Sequence, residues 1–230
     1  ITNQKKVNVD IVKKMFMDTS KRIITELAQF KYSSASCKAK IGDARCYPES
    51  IKNIQYDSIL TSPPYPNRHD YTRIYELELL VGFIKDNNSL KQLRYKTLRS
   101  HVEAKKIYPT TNYIIPTLLK EKIDLIQQRE LNNPKIIDTL YGYFEDMYLA
   151  LNEMHNVLKP KGQIGLVVSN VRFAGIIVPV DELLSQIGEQ VGLKTQKIFI
   201  LRYRGNSSQQ MSKHQKEPTR ESLIVWKKVS

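Results

Sequence analysis

The spacing of apolar residues changes along the chain between a helical and a strand-like pattern. Apolar side chains such as Ile11, Met15 and Leu27 recur near helical spacing in a first segment that contains no Gly or Pro. The predicted helices cover residues 9–30, 71–84, 138–158 and 181–191, and the predicted strands cover residues 38–41, 56–61, 163–169, 197–204 and 222–227. This alternation predicts an α/β fold with helices on both faces of a sheet that closes with an antiparallel strand pair.

A long segment between two of the predicted helices divides this pattern. We expect residues 1–84 to hold the N-terminal helix and the first part of the main domain, and residues 136–230 to hold the remainder. Residues 85–135 are expected to form a mostly helical insert. The insert contains 11 Lys and Arg against 5 Asp and Glu, so it carries nearly half of the excess positive charge of the chain.

The charge of the whole chain narrows the classes of partner. The 230 residues include 36 Lys and Arg and 23 Asp and Glu, which gives a formal net charge of +13. Such an excess favours a polyanion, because each cation placed against a phosphate releases a condensed counterion. The basic insert is therefore a candidate DNA-facing element, with a solvated charged face as the alternative.

Several other classes are excluded by composition. No apolar run approaches the length of a membrane span, and the polar, basic start of the chain is not a signal peptide. Two cysteines are too few for a disulfide scaffold, and the histidines lack partners at ligand spacing. We expect a cytoplasmic protein with no membrane partner and no metal site.

The sharpest chemical signal is the turn Ser62-Pro63-Pro64-Tyr65, directly after the predicted strand 56–61. Ligands of open α/β sheets lie beyond the carboxyl ends of the strands. Proline has no N–H, so carbonyl oxygens are the backbone groups that this turn offers. The Pro63 carbonyl and the Ser62 hydroxyl can accept the hydrogens of a conjugated amine while the Tyr65 ring stacks on the attached base. The alternative is a strand that simply ends in a rigid turn, with Tyr65 packed on the core.

The turn and its continuation at residues 62–79, SPPYPNRHDYTRIYELEL, resemble the catalytic motif of amino-methylating DNA methyltransferases. The Ser-Pro-Pro-Tyr form is similar to that of the N4-cytosine branch, whereas N6-adenine enzymes more often begin with Asp. The turn Gly42-Asp43-Ala44-Arg45 resembles the acidic turn with which this family contacts the adenine of S-adenosylmethionine. The resemblance extends over roughly residues 38–228.

This resemblance implies a class I, Rossmann-like methyltransferase sheet that uses S-adenosylmethionine and acts on double-stranded DNA in a restriction-modification context. The exocyclic N4 amine of a flipped cytosine would attack the sulfonium methyl in line, so the enzyme mainly orients the reactants. The implied catalytic residues are Ser62, Pro63, Pro64 and Tyr65, and the implied cofactor-binding residues are Asp43, Ala44 and Ser62. An N6-adenine enzyme, an RNA amino-methyltransferase and a non-catalytic nucleic-acid-binding subunit remain alternatives, and Asp43 alone is also compatible with a helix cap.

The sequence lacks one motif of this family, the glycine-rich turn that contacts the cofactor. None of the nine glycines stands in a G-x-G turn after an early strand, where the backbone of such an enzyme approaches the methionine and ribose of the cofactor. We therefore expect a sheet that is incomplete without its first two strands. A second polypeptide or an upstream segment would then carry the glycine-rich motif.

Basic residues around the motif, in the insert and near the last two strands are candidates for DNA contacts. Those that we expect to bind nucleic acid are Arg68, Arg94, Lys96, Arg99, Arg202 and Arg204. For Arg68, as for Arg45 and Arg73, pairing with nearby carboxylates is the simpler expectation. Asp70 is a weaker candidate to assist at the target amine.

Overall fold

The computed structural model describes residues 8–30, 36–67, 69–131, 133–204 and 218–229. The helices are α1 Val9–Gln29, α2 Glu49–Lys52, α3 Tyr71–Ile74, α4 Glu76–Gly82, α5 Asn87–Lys96, α6 Thr117–Gln127, α7 Ile136–Val157 and α8 Val180–Gln190. The strands are β1 Tyr56–Thr61, β2 Leu158–Ser169, β3 Val171–Phe173, β4 Ile176–Val178, β5 Leu193–Arg204 and β6 Thr219–Lys228. The chain divides into two compact units, Ile1–Ile41 and Gly42–Ser230.

The first unit contains α1, which confirms the helix predicted at residues 9–30. Asn8 caps its start, because the side-chain oxygen accepts a hydrogen bond from the Asp10 amide at 2.9 Å. The predicted strand at 38–41 is wrong. These residues form no strand, because no described strand lies beside them to complete a hydrogen-bonded ladder.

The second unit is built on a mixed sheet with the strand order β1-β2-β6-β5. Strands β1 and β2 are parallel, and β6 runs antiparallel to both β2 and β5. The predicted closing antiparallel pair is therefore confirmed. Along β2, the alternate residues Ile164, Leu166 and Val168 are fully buried, as expected for a strand with one face on the core.

The core forms where α7 and α8 pack on this sheet. Most residues of α7 are buried, including Tyr143, Phe144 and Met147. Trp226 of β6 is also fully buried, and its indole fills the space beside Gly188 of α8, where a Cβ would come within 2.5 Å of the ring nitrogen. Glycine at this position allows α8 to approach the sheet closely.

Two predicted boundaries differ from the structure near the site. Strand β2 begins at Leu158 rather than at residue 163, because the segment around Pro160 stays extended although Lys161 adopts a φ of 65°. The helix predicted at 71–84 is split at Tyr75, which ends α3 and precedes α4. The hairpin of β3 and β4 was not predicted, because strands of three residues leave almost no periodicity.

Strand β1 forms one edge of the sheet, and its solvent-facing side is apolar in part. Leu60 is 80% exposed, and elsewhere in the second unit Leu77 and Val81 of α4 and the following Phe83 are also exposed. Among the described helices, none is both long enough and apolar enough to cross a membrane.

Candidate active site

An open cavity of about 430 Å³ lies where the chain leaves β1. Strand β1 ends at Thr61, which pairs with Leu166 of the parallel strand β2, so the turn that follows lies at the carboxyl edge of the parallel pair. The cavity is lined by Ser62, Pro63, Pro64, Tyr65, Asn67, His69 and Tyr71. The structure therefore brings the four predicted catalytic residues together on one wall of a single cavity.

Tyr65 is held both by the packing of its ring and by a hydrogen bond from its hydroxyl. The ring packs in part against the core, and the hydroxyl donates a hydrogen bond to Oε1 of Glu221 at 3.1 Å. The Ser62 hydroxyl lies 3.5 Å from the same oxygen of Tyr65 and is exposed to the cavity. Glu221, on β6, accepts a second hydrogen bond from Nε of Arg202 on β5.

The segment after the turn is fixed by Asp70, which caps α3. The Asp70 carboxylate accepts hydrogen bonds from the Thr72 amide at 2.9 Å and from its hydroxyl at 2.6 Å. Nε of Arg94, from α5, lies 2.9 Å from the other carboxylate oxygen. Burial acts to raise the pKa of Asp70, but these hydrogen bonds and the nearby charges of His101 and Arg94 outweigh it and lower the pKa. Asp70 is thus a charged anchor between α3 and α5.

The carboxylate of Asp43 is not free but belongs to a network of ion pairs. Arg45 donates to Asp43 through its backbone amide and both Nε and Nη2, at 2.7 to 3.0 Å. The same guanidinium reaches Asp146 of α7 at 2.8 Å, and Asp146 also binds Arg99 at 2.6 Å. Burial acts to raise the pKa of Asp43, and the hydrogen bonds from Arg45 more than compensate and lower it. The turn that carries Asp43 is therefore tied to α7 and to the end of α5.

The candidate DNA contacts fall into different environments. Arg94 and Arg99 have side chains only 12% and 11% exposed, and both bind carboxylates within the protein. Lys96 is exposed at the end of α5, and the Arg202 side chain is 60% exposed although it binds Glu221. Ala44 is exposed beside Asp43. Arg68 and the side chain of Arg204 lie outside the described residues.

Two functional side chains escaped the sequence interpretation. Glu221 and Asp146 are buried carboxylates, each of which binds at least two groups from distant parts of the chain. Asp146 stands 101 residues from its partner Arg45, and Glu221 stands 156 residues from Tyr65. The only signal in the sequence is their position beside apolar residues. Asp146 interrupts the apolar pattern of α7, and Glu221 stands just before the apolar run of β6.

Comparison with curated proteins identifies similar chains over most of this length. The chain is 38% identical over 214 residues to the Type II methyltransferase M.AvaI of Nostoc sp. and 34% identical over 201 residues to the Type II methyltransferase M.BsoBI of Geobacillus stearothermophilus. This chain is similar to Type II methyltransferases. The alignments cover 86% and 77% of this chain but only 44% and 39% of those proteins, so the chain spans less than half of their length. No family model matches the sequence.

Among solved structures, a putative DNA modification methylase from Thermus thermophilus aligns with 83% of this chain and 53% of its own. The TM-score is 0.43 and the sequence identity is 13%. The same methylase in complex with S-adenosyl-L-methionine aligns with a TM-score of 0.35 over 47% of this chain.

Proposed function

We propose that this chain carries the target-amine side of a DNA methyltransferase that methylates N4 of a flipped cytosine. The observation that carries the proposal is the position of Ser62, Pro63, Pro64 and Tyr65 on one wall of an open cavity beyond the parallel strands. The similarity to Type II methyltransferases supports it and favours a restriction-modification context. An N6-adenine enzyme is the second candidate, because the same acceptors fit the amine of adenine.

The cavity provides what an amine acceptor site needs. The exposed Ser62 hydroxyl stands at its wall, and the Pro63 carbonyl follows in a rigid turn without competing N–H donors. Acceptors placed on the two amine hydrogens orient the nitrogen toward a methyl donor, and orientation is the main contribution that an enzyme makes to such a displacement. Tyr65 would stack on the extruded base and recover part of the cost of unstacking it.

The proposed methyl donor is S-adenosylmethionine, and we infer that the described residues form only part of its site. The sequence contains no glycine-rich turn after an early strand, and the carboxylate of Asp43 is occupied by Arg45. We propose that polypeptide outside these 230 residues supplies the rest of the cofactor site, as a second chain or as further sequence. The exposed Leu60 on edge strand β1 supports a covering segment at that edge.

We also propose that DNA runs past the exposed cations near the cavity. Lys96 and Arg202 have exposed side chains that suit phosphate contacts, and Arg68 and Arg204 are retained as candidates from the sequence. Arg94 and Arg99 are better suited to hold the insert in place, because their side chains are largely buried as well as paired with carboxylates.

The test is nucleoside analysis of DNA after incubation with S-adenosylmethionine and the protein, purified with any polypeptide that accompanies it in its native cells. N4-methylcytosine is the expected product. Detection of N6-methyladenine would show that the second candidate function is correct. Methylation of structured RNA but not of duplex DNA would overturn the proposal that DNA is the substrate. Tyr65→Ala should abolish the product while Tyr56→Ala, a matched change at the opposite end of β1, retains it. Full activity of Tyr65→Ala would favour a non-catalytic subunit.

A further inference from the structure

We propose that Glu221 is a positioning residue that fixes the ring of Tyr65 for stacking on the target base, with Arg202 balancing its charge. The inference rests on the proposed function, since it assigns a role within the same cavity. It concerns a residue on β6, far in sequence from the turn that carries Tyr65.

The register of the sheet brings these side chains together. Glu221 pairs with Ser169, the last residue of β2, and with Arg202 of β5. It therefore lies at the carboxyl edge of the parallel pair, next to the turn that follows β1. Only 6% of Glu221 is exposed, so its carboxylate depends on protein donors rather than on water.

Each carboxylate oxygen has its own partner. Oε1 accepts the hydrogen bond from the Tyr65 hydroxyl at 3.1 Å, and Oε2 accepts from Nε of Arg202. A hydrogen bond to an ionised acceptor is roughly twice as strong as one between neutral groups. Arg202 pairs with this carboxylate and orients it, so the bond to Tyr65 is made to a charged acceptor and is of the stronger kind.

The geometry of this contact explains why it serves orientation. The hydroxyl lies at the tip of the phenol ring, so a bond there limits rotation and tilt of the ring without covering either face. A phenylalanine at position 65 would keep the stacking surface but lose the tether to Glu221.

The experiment compares Glu221→Gln, Tyr65→Phe and the double variant. Glu182→Gln is the matched control, because Glu182 binds Arg220, the residue before Glu221, and does not contact Tyr65. The ring is observed directly in the chain labelled with 3-fluorotyrosine, in which Tyr65→Phe assigns the resonance by its loss. Single-turnover methyl transfer and KM for DNA are measured on the assembled protein.

We expect Glu221→Gln to shift or broaden the Tyr65 fluorine resonance and to lower the single-turnover rate about tenfold with KM changed less than about twofold, the pattern of lost transition-state positioning. Tyr65→Phe should lower the rate by a similar factor. In the Tyr65→Phe background, Glu221→Gln should add less than about twofold, because coupled residues are not additive. Glu182→Gln should alter neither readout.

Three results would overturn the inference. The first is a Tyr65 resonance that is unchanged in Glu221→Gln, and the second is an active wild-type protein whose rate does not respond to Glu221→Gln. The third is additive losses in the double variant. If the wild-type protein transfers no methyl group at all, the proposed function fails, whereas the fluorine spectrum still decides whether Glu221 holds Tyr65.

Discussion

The substitution Asp146→Asn tests whether the buried ion pairs organise this protein. Asp146 is 2% exposed and accepts four hydrogen bonds: one from Arg45 at 2.8 Å, and three from the amide, Nε and Nη2 of Arg99 at 2.6 to 3.0 Å. Asparagine has almost the same shape but offers one oxygen, and its NH₂ group would face donors. Two guanidinium groups would then lie near each other without the carboxylate between them.

The expected loss of unfolding free energy in Asp146→Asn follows from the burial of its ion pairs. Removing one partner of a buried ion pair typically costs about 3–5 kcal/mol, because the remaining charge stays buried. Asp57→Asn is the matched control: Asp57 pairs with Lys159 at 2.7 Å, but its side chain is 84% exposed. Exposed pairs of this kind contribute little to stability, because water and salt screen the two charges.

The assay is urea unfolding followed by fluorescence of Trp226, the single and fully buried tryptophan. The loss in Asp146→Asn should persist at high salt, whereas any loss in Asp57→Asn should disappear, because salt screens exposed charges far more than buried ones. Equal losses in the two variants, or a loss in Asp146→Asn that salt removes, would refute the reasoning.

Three further predictions concern packing, pH and DNA. Gly188→Ala should destabilise the protein by about 1–3 kcal/mol because the new methyl group meets the Trp226 ring, whereas Gly82→Ala, with nothing within 4 Å, should not; a stable Gly188→Ala would contradict the close approach. Burial lowers the pKa of His101 in the folded protein. The neutral side chain therefore contributes stability that is present above its unfolded pKa near 6.5 and is lost as the pH falls through its folded pKa. His101→Gln should flatten the pH dependence of stability below about pH 6.5, as measured by calorimetry. Lys96→Gln should weaken DNA binding and reduce the salt slope of log K by about 0.9, and an unchanged slope would remove Lys96 from the DNA surface.

The features predicted well from the sequence were those with a local signal. The long helix at α1, the closing strand pair and strand β1 each combine length with clear periodicity. Strand β1 lies at the edge of the sheet, however, and none of its residues is buried. The position of the Ser62–Tyr65 turn followed from that strand, because a turn must begin where the apolar run ends. The location of a cavity at this edge was therefore predictable before any contact was known.

The features that were missed depend on distant residues. Arg94 and Arg99 look like free cations in a basic segment, and only the fold reveals that Asp70 and Asp146 neutralise them. The predicted strand at 38–41 failed for a related reason, since local propensity cannot supply a neighbouring strand. The sequence thus gives the number of cations but does not show which of them are paired within the protein and which remain available to a polyanion.

The open edge at β1 has a practical consequence for handling the protein. A strand edge with unpaired backbone groups and an exposed leucine, such as Leu60, is a template for pairing with another strand. Molecules of the isolated chain should therefore associate with one another, and more of the protein should aggregate as its concentration rises. Production together with the proposed covering polypeptide should yield a monodisperse sample, and the recovery of soluble protein would then report assembly before any activity is assayed.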